Sequence, residues 1–393
     1  MPEPSFQFRL ECDPKATQHI ICAQPDDGYA LAVVLKQTLA IRSDGSCVPA
    51  DEQEPLELDF PRYEELEPPA IAPTCWDSDM IAFKEATDVV LQGHAYSYGK
   101  RATVDADLSF GKISRTVRVH GDRPCSWSGN GPRFGPPEPF ERVPLRYDRA
   151  YGGCDLTALA RLGDGIAETF GPNEPAWGLD TCTHFHYPRN RSGTGFLVEA
   201  SPESIEGMRV PNLEFPDDPV TPERLAVGHW RDWMPAPLPA AFDWYDPGWF
   251  PRIAYLGEAP LHRDNPGRVR EIDRGWAPAD LLRLPSITRA AHHTGFLQGA
   301  SPGLAVRDFK PNTTFRLTNL SPGQPERVVK LPGKTPTVKL QLTASDRKKM
   351  KAHCNAVVLR PDDDRVILVW SARCKVDRPY FPQELAEMSW VVS

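Results

Sequence analysis

The residues best suited to bind a metal lie in one short segment, Cys182-Thr183-His184-Phe185-His186. In an extended chain, Cys182, His184 and His186 would point to the same side, because side chains alternate between the two faces of a strand. Thiolate and imidazole ligands suit zinc, so these residues could centre a metal- or small-molecule-binding β module. The alternative is a half-buried loop with ordinary hydrogen bonds. Since no second close ligand pair accompanies the segment, the sequence favours the loop and predicts no metal and no other cofactor.

Carboxylates that could support acid–base hydrolysis occur at Asp77/Asp79, Asp217-Asp218 and Asp243/Asp246. The last pair neighbours Trp244 and Trp249, and a glycosidase combines two acids with a cleft for the sugar. Asp beside Pro, Gly and Trp is also typical of a capped turn packed on an aromatic ring. The sequence favours the turn, and a carbohydrate- or peptidoglycan-acting hydrolase is the alternative function.

The densest group of residues suited to protein binding is the segment Phe140–Gly153. Its candidate residues are Arg142, Arg146, Tyr147, Arg149 and Tyr151, followed by Gly152 and Gly153. Tyrosine and arginine anchor protein interfaces because they combine a large contact area with directional hydrogen bonds. The alternative is an arginine–carboxylate network that holds a long loop in place, and the same residues could serve both roles.

Specific catalytic and nucleotide-binding motifs are absent from the sequence, including GxSxG, HExxH, the P-loop and the Rossmann glycine pattern. Gly193-Thr194-Gly195 comes closest to a phosphate loop, but no strand pattern precedes it and no helix pattern follows, which favours a tight turn. The formal charge of −8, from 45 Lys+Arg and 53 Asp+Glu, argues against nucleic acid as the partner, because phosphate binding needs a basic surface.

The cytoplasm is the predicted location. The nine cysteines include no CxxC pair, which fits a reducing compartment better than a disulfide framework. The segment Met1–Gln7 has neither the basic nor the apolar part of a secretory signal. No apolar run approaches the roughly 20 residues that a membrane helix needs, so we expect no membrane insertion.

Composition and periodicity predict a mainly β fold: antiparallel sheets in a sandwich-like arrangement, long Pro/Trp-rich ordered loops and a few short helices. The 42 prolines, about twice the usual share, argue against a helical bundle. The predicted strands are 29–41, 87–96, 314–320 and 337–342, with hairpins at 102–110/113–121 and 356–359/365–370. The predicted helices are 201–207, 278–284 and 382–388.

Three regions follow from these patterns. Residues 1–150 form a β-rich N-terminal part, residues 151–300 a loop-rich middle region packed on it, and residues 301–393 a C-terminal β-hairpin region. Aromatic residues recur throughout the middle region, and disordered linkers lack them. We therefore expect the loops of this region to be ordered and held by aromatic contacts.

The segment Phe140–Gly153 resembles the signature FERmPLxYxRAYGG of the family of domain of unknown function 2169. Further blocks resemble that family in the same order along the chain. These blocks are Gly93-His94-Ala95-Tyr96, Val119–Arg123, Asn190–Phe196 with Asn190, Gly193 and Gly195, and Val210–Glu214. The resemblance covers about residues 20–260, with a looser match through the hairpin at 356–370.

The resemblance implies a non-enzymatic role in bacterial type VI secretion. Members are similar to adaptor or chaperone-like accessory proteins that bind a toxic effector or a PAAR-like protein and help to load it onto the VgrG spike. The family has no established catalytic residues, so the resemblance assigns none here.

Overall fold

The computed structural model describes residues 11–13, 16–23, 28–58, 61–64, 72–81, 84–129, 131–162, 185–229, 231–256, 269–279, 281, 295–343 and 345–393. The strands up to residue 195 are β1 (Glu11–Asp13), β2 (Ala16–Ala23), β3 (Tyr29–Ile41), β4 (Cys47–Pro49), β5 (Arg62–Tyr63), β6 (Thr74–Trp76), β7 (Thr87–Leu91), β8 (His94–Tyr96), β9 (Thr103–Phe110), β10 (Ile113–His120), β11 (Cys125–Ser128), β12 (Gly131–Phe134), β13 (Arg142–Pro144), β14 (Tyr151–Gly152) and β15 (Thr194–Gly195). The later strands are β16 (Leu213–Glu214), β17 (Ala305–Val306), β18 (Thr314–Thr318), β19 (Glu326–Lys330), β20 (Thr337–Gln341), β21 (Arg347–Lys351), β22 (His353–Arg360), β23 (Arg365–Val376) and β24 (Ser389–Val392).

The described α-helices are short: α1 (Leu156–Leu162), α2 (Pro202–Ile205), α3 (Arg270–Asp273) and α4 (Pro382–Glu387). None of the helices in the described ranges is long and apolar enough to cross a membrane. The predicted helix at 201–207 is confirmed as α2, where the Ser201 side chain caps the N-terminus by accepting from the Ser204 amide. The predicted C-terminal helix is confirmed as α4, and the one at 278–284 lies largely outside the described residues. The mainly β fold is confirmed.

The largest sheet has the order β1-β2-β3-β23-β22-β7-β17, with β4 also paired to β3. Its centre is the long antiparallel pair β3–β23, which runs from Ala40↔Arg365 to Tyr29↔Val376. β22 then joins β7 in parallel. Almost every position of β3 is buried, because both faces of this part of the sheet are covered.

A second, antiparallel sheet has the order β16-β10-β9-β18-β19. β9 and β10 form the predicted hairpin, and their residues alternate between buried and more exposed positions. The buried faces of this sheet and of the large sheet belong to one hydrophobic cluster. Phe110 and Phe315 meet within it, with ring centroids 5.1 Å apart. The two sheets therefore share a core.

A buried ion pair accounts for the lysine in the middle of apolar β3. Lys36 is 1% exposed and its Nζ lies 3.0 Å from Oδ2 of Asp79, which is 3% exposed. The same ammonium group lies 3.9 Å from the centroid of the Trp76 ring. Such a charge is tolerated in a core only when it is paired, because burial removes its hydration.

The described loops of the middle region are held by aromatic packing, as predicted. Their rings form a second hydrophobic cluster whose largest members are Tyr151, Tyr187, Phe196, Trp233 and Phe250. Trp244, Tyr245 and Trp249 join the core of the sheets instead.

The predicted strand at 87–96 is wrong as a single strand. β7 ends at Leu91, and the Gln92 amide makes the last bond to β22, to the Leu359 carbonyl at 2.9 Å. The chain then leaves the large sheet, and β8 pairs with β13. The two residues Gln92 and Gly93 thus separate β7 and β8, which lie in different sheets. The other predicted strands and both hairpins are confirmed.

C-terminal strands complete the N-terminal sheets. β23 and β22 lie between β3 and β7, and β18 pairs with β9. The three regions of the sequence are therefore joined by backbone hydrogen bonds. The positions of the boundaries between them stay a prediction.

We expect a chain that ends at Ala300 to lose its cooperative thermal transition, because it lacks the strands that separate β3 from β7. Circular dichroism during heating and size-exclusion chromatography, with the full chain as control, would measure this. A monomeric fragment that unfolds in one sharp transition would contradict the shared-sheet architecture.

Candidate functional site

The first group of predicted residues surrounds Asp362, in the turn between β22 and β23. Nδ1 of His94 lies 2.6 Å from one carboxylate oxygen, and the Tyr96 hydroxyl donates to the other at 2.9 Å. Burial, together with this hydrogen bond, raises the pKa of Tyr96 to about 12. Arg142 is the cross-strand neighbour of Tyr96 and is exposed. This group fastens the C-terminal hairpin to β8.

The second group, which we call the signature clamp, consists of the backbone segments 150–153 and 190–195. β14 and β15 pair in parallel within it. The Asn190 side-chain amide donates to the carbonyls of Tyr147 and Tyr151 at 2.8 and 3.1 Å. The Gly153 amide donates to the Asn190 carbonyl at 2.8 Å. Asn190 is fully buried, so its side chain holds two chain segments together inside the protein.

Glycine is required in the clamp because the two backbones lie too close for a side chain. A Cβ on Gly193 would lie 2.7 Å from the Ala150 carbonyl oxygen and 2.8 Å from Cα of Gly152. Gly152 also has a φ of +155°, a conformation that favours glycine. The predicted tight turn at Gly193-Thr194-Gly195 is wrong in detail: the turn lies at residues 191–192, and Thr194 and Gly195 form β15.

Tyr147 and Tyr151 are both buried, Tyr147 next to the clamp and Tyr151 within it. The Tyr147 hydroxyl donates to Oγ of Ser301 at 2.8 Å, and its ring packs edge-on against Tyr245. The Tyr151 hydroxyl donates to the Leu225 carbonyl at 2.9 Å. Tyr147 and Tyr151 are 2% and 0% exposed, so their side chains support the loops from inside the protein.

Two of the three arginines of the segment Phe140–Gly153, Arg146 and Arg149, are partly exposed. Arg146 forms a two-pronged pair with Glu64 and also lies 3.2 Å from Asp148. Arg149 approaches the same Asp148 carboxylate at 3.7 Å. The predicted arginine–carboxylate network is therefore present, and about a third of the Arg146 side chain stays accessible.

The proposed metal segment is only partly described. Cys182 and His184 lie outside the described residues. His186 is half-buried and its backbone pairs with that of Cys154. Elsewhere in the described ranges, no group of three or more His, Cys, Asp or Glu side chains is placed to hold a metal.

The carboxylates near Trp244 and Trp249 cap turns. Asp246 accepts from the Gly248 amide at 2.7 Å and from the Thr74 hydroxyl at 2.8 Å. Asp243 accepts from Gln92 Nε2 at 3.0 Å and from the Trp244 amide at 2.8 Å. The two tryptophans are 2% and 3% exposed, so their rings are not a platform for a sugar.

The other two predicted carboxylate pairs take part in ion pairs. These are Asp77 with Arg252 and Lys84, Asp79 with Lys36, Asp217 with Arg274, and Asp218 with Arg224 and Arg270. Asp77, Asp79 and Asp218 are buried, and each therefore neutralises a cation inside the protein.

Sequence reasoning missed the central charge of the middle region, Arg189. Its guanidinium is fully buried and bonds to both carboxylate oxygens of Glu271, at 2.5 and 3.0 Å. It also lies 4.8 Å from the centroid of the Trp233 ring. Glu271 is remote in sequence and lies in the one-turn helix α3, so no local pattern indicates the pair.

A basic surface on the C-terminal sheet was missed as well. This sheet has the order β21-β20-β24. Its exposed side, here called the C-terminal outer face, carries Lys339, Arg347, Lys349, Lys351 and Val391. Val391 is 64% exposed, one of the most exposed large apolar side chains in the described part of the chain. In the sequence, the cations at alternate positions 347, 349 and 351 could have indicated this basic surface.

Fold and clamp together define a mainly β scaffold in which the signature residues fix ordered loops to the sheets. The chain belongs to the family described as uncharacterized protein conserved in bacteria (DUF2169), whose model matches residues 27–371. The expected resemblance is therefore confirmed at the level of the family. No curated protein and no solved structure matches the chain.

Gly193→Ala tests the close approach in the clamp. We expect it to lower the free energy of unfolding by about 1–3 kcal/mol, because the new methyl group must push two backbones apart. Gly131→Ala is the matched control, since a Cβ there meets nothing within 4 Å, and it should change stability by less than about 0.5 kcal/mol. Chemical denaturation measures both. Equal stability of the two variants would contradict the steric account.

Asp243→Asn tests the cost of burying that carboxylate. Burial raises the pKa of Asp243 to about 7 from 3.8, so between these pH values the folded state keeps a proton that the unfolded chain loses. The contribution of Asp243 to stability is therefore greatest at low pH and falls as the pH rises through this window.

The asparagine variant lacks this titration. Relative to the wild type, it should gain about 2–3 kcal/mol in unfolding free energy between pH 5 and pH 8. Denaturation of both proteins at the two pH values measures the difference. A variant whose stability relative to the wild type is the same at both pH values would show that Asp243 does not titrate in this range.

Proposed function

We propose that this protein is a non-enzymatic cytoplasmic adaptor that binds a type VI secretion effector, either a toxin or a PAAR-like protein, and helps to load it onto the VgrG spike. The resemblance of the signature and its companion blocks to such accessory proteins supports the choice of partner. The structural observation that carries the proposal is the C-terminal outer face, because it presents cationic and apolar side chains together on an ordered sheet.

Protein interfaces need an accessible apolar contact within polar surroundings. Val391 supplies that contact, and in β20 and β21 its neighbours across the sheet are Lys339 and Lys349. Phe381, at the start of α4, is 62% exposed and adds a second apolar side chain near the C-terminus.

The inner side of the same sheet is firmly held. Val338, Leu340, Met350 and Trp390 are buried and belong to the shared core of the sheets. A partner that binds the outer face would therefore contact side chains on an ordered backbone. This lowers the entropic cost of binding, because less of the interface has to become ordered. An adaptor must also release its cargo, and a small, partly polar interface suits that task.

Co-expression with a candidate effector, a toxin or PAAR-like protein from the same genome, tests the function. We expect the two proteins to co-purify, and we expect effector solubility and secretion to fall when the adaptor is absent. If they do not co-purify, and the effector is equally soluble and equally secreted without this chain, the proposed function is wrong.

Val391→Ser tests whether the outer face takes part. Loss of one buried valine contact should weaken effector binding about tenfold. Leu156→Ser is the matched control, because Leu156 in α1 is 69% exposed and lies in another part of the chain. Titration by isothermal calorimetry measures both affinities. Equal weakening by both variants, or by neither, would exclude a specific role for this face.

A further inference from the structure

The cations of the C-terminal outer face lie in a regular array. Lys339 of β20 is directly opposite Lys349 of β21, and Lys351 and Arg347 are opposite Thr337 and Gln341. Residues 347, 349 and 351 project to the same side of β21, about 7 Å apart along the strand. The array therefore has the repeat of an extended chain.

The facing lysines work against the stability of the sheet. Like charges directly opposite each other on neighbouring strands are destabilising. Among the described residues, no carboxylate lies within ion-pair distance of Lys339, Lys349 or Lys351. The nearby Asp346 pairs at 3.2 Å with Lys348, which alternates to the other side of β21.

Another exposed pair in the same protein shows the usual arrangement. Asp105 of β9 is directly opposite Arg118 of β10, and the two form an ion pair at 2.8 Å. The facing lysines of the C-terminal outer face thus lack the charge complement that this pair has. Protection of a sheet edge explains it only in part. Edge lysines prevent unwanted pairing, and β21 is an edge strand of this sheet, but Lys339, which faces Lys349, lies on the central strand.

We infer that the C-terminal outer face binds an extended acidic segment of a protein partner that lies along β21, with one carboxylate at the facing pair Lys339 and Lys349 and another, two residues along, at Lys351. This inference rests on the proposed adaptor function and specifies its partner chemistry. Alternate residues of an extended segment repeat at about 7 Å, which matches the array on β21. Val391 lies in the same row as the two facing lysines, one strand beyond Lys339 on the side away from β21.

An acidic peptide fits better than the other polyanions. The formal charge of the chain is −8, which repels a long nucleic acid or an anionic membrane beyond the small basic face. A short acidic segment meets only the local field, because charges more than about 8 Å away are screened at physiological salt.

The direct test uses fluorescein-labelled ten-residue peptides and fluorescence anisotropy. The probe alternates glutamate and serine, and the control peptide alternates lysine and serine. Oligo-dT of 20 nucleotides and phosphatidylglycerol vesicles serve as competitors. We expect the full-length protein to bind the acidic peptide, to ignore the basic one, and to lose affinity as salt rises.

Charge reversal then assigns the binding to this face. Lys339→Glu with Lys349→Glu should weaken acidic-peptide binding at least tenfold. Lys112→Glu is the matched control for single Lys349→Glu, because Lys112 is exposed in the turn between β9 and β10 and the charge change of these two variants is the same; it should leave affinity unchanged. Single Lys349→Glu should weaken binding without lowering Tm, since it replaces a lysine–lysine pair by a lysine–glutamate pair. That variant keeps the test valid if the double variant folds poorly.

Three outcomes would overturn the inference. They are no peptide binding at millimolar concentration, binding that Lys349→Glu and the double variant leave intact, and stronger binding of oligo-dT or vesicles that the reversals abolish.

The effector provides a separate readout. If it co-purifies equally with the wild type and the reversed variant, the adaptor function stands and the acidic-segment inference fails. If it never co-purifies with the wild type, the adaptor function itself fails.

Discussion

The structure depends on the contact between two backbone segments, 150–153 and 190–195. They approach so closely that Gly152 and Gly193 have no room for a side chain, and the Asn190 side chain bonds to the carbonyls on either side of the turn that precedes β14. One segment follows the strands of the N-terminal sheets, and the other lies within the loop-rich region 151–300. This contact therefore joins the loops to the sheets, which explains why the signature combines tyrosine with paired glycine.

Buried ion pairs complete the connection. Lys36–Asp79, Arg252–Asp77 and Arg189–Glu271 each link distant parts of the chain, and each pair is almost fully buried. Breaking a pair of this kind would leave an uncompensated charge, which typically costs about 3–5 kcal/mol. The carboxylates that resembled a hydrolase site thus serve the scaffold. The lysines of the C-terminal outer face are different, because they repel one another and remain accessible.

Local patterns predicted much of the fold. The alternation in β9 and β10, the apolar run of β3 and the cap of α2 all depend on neighbours in sequence, and all three were recognised. The order of strands was not predictable. The placement of β23 between β3 and β22 depends on contacts between β3 and β23, whose residues are more than 300 positions apart in the sequence. For the same reason, the residues of the clamp were identified but not their arrangement, and the Arg189–Glu271 pair was missed. The outer face was also missed, since it requires the register of β20 and β21.

We propose that the rigid scaffold binds a partner through the C-terminal outer face. Hydrogen–deuterium exchange of the protein, alone and bound to the proposed effector, measures this most directly. The account predicts that binding slows exchange in residues 337–351 and 389–393 and leaves the clamp at 150–153 and 190–195 unchanged. Protection confined to other surfaces, with unchanged exchange in β20, β21 and β24, would contradict it.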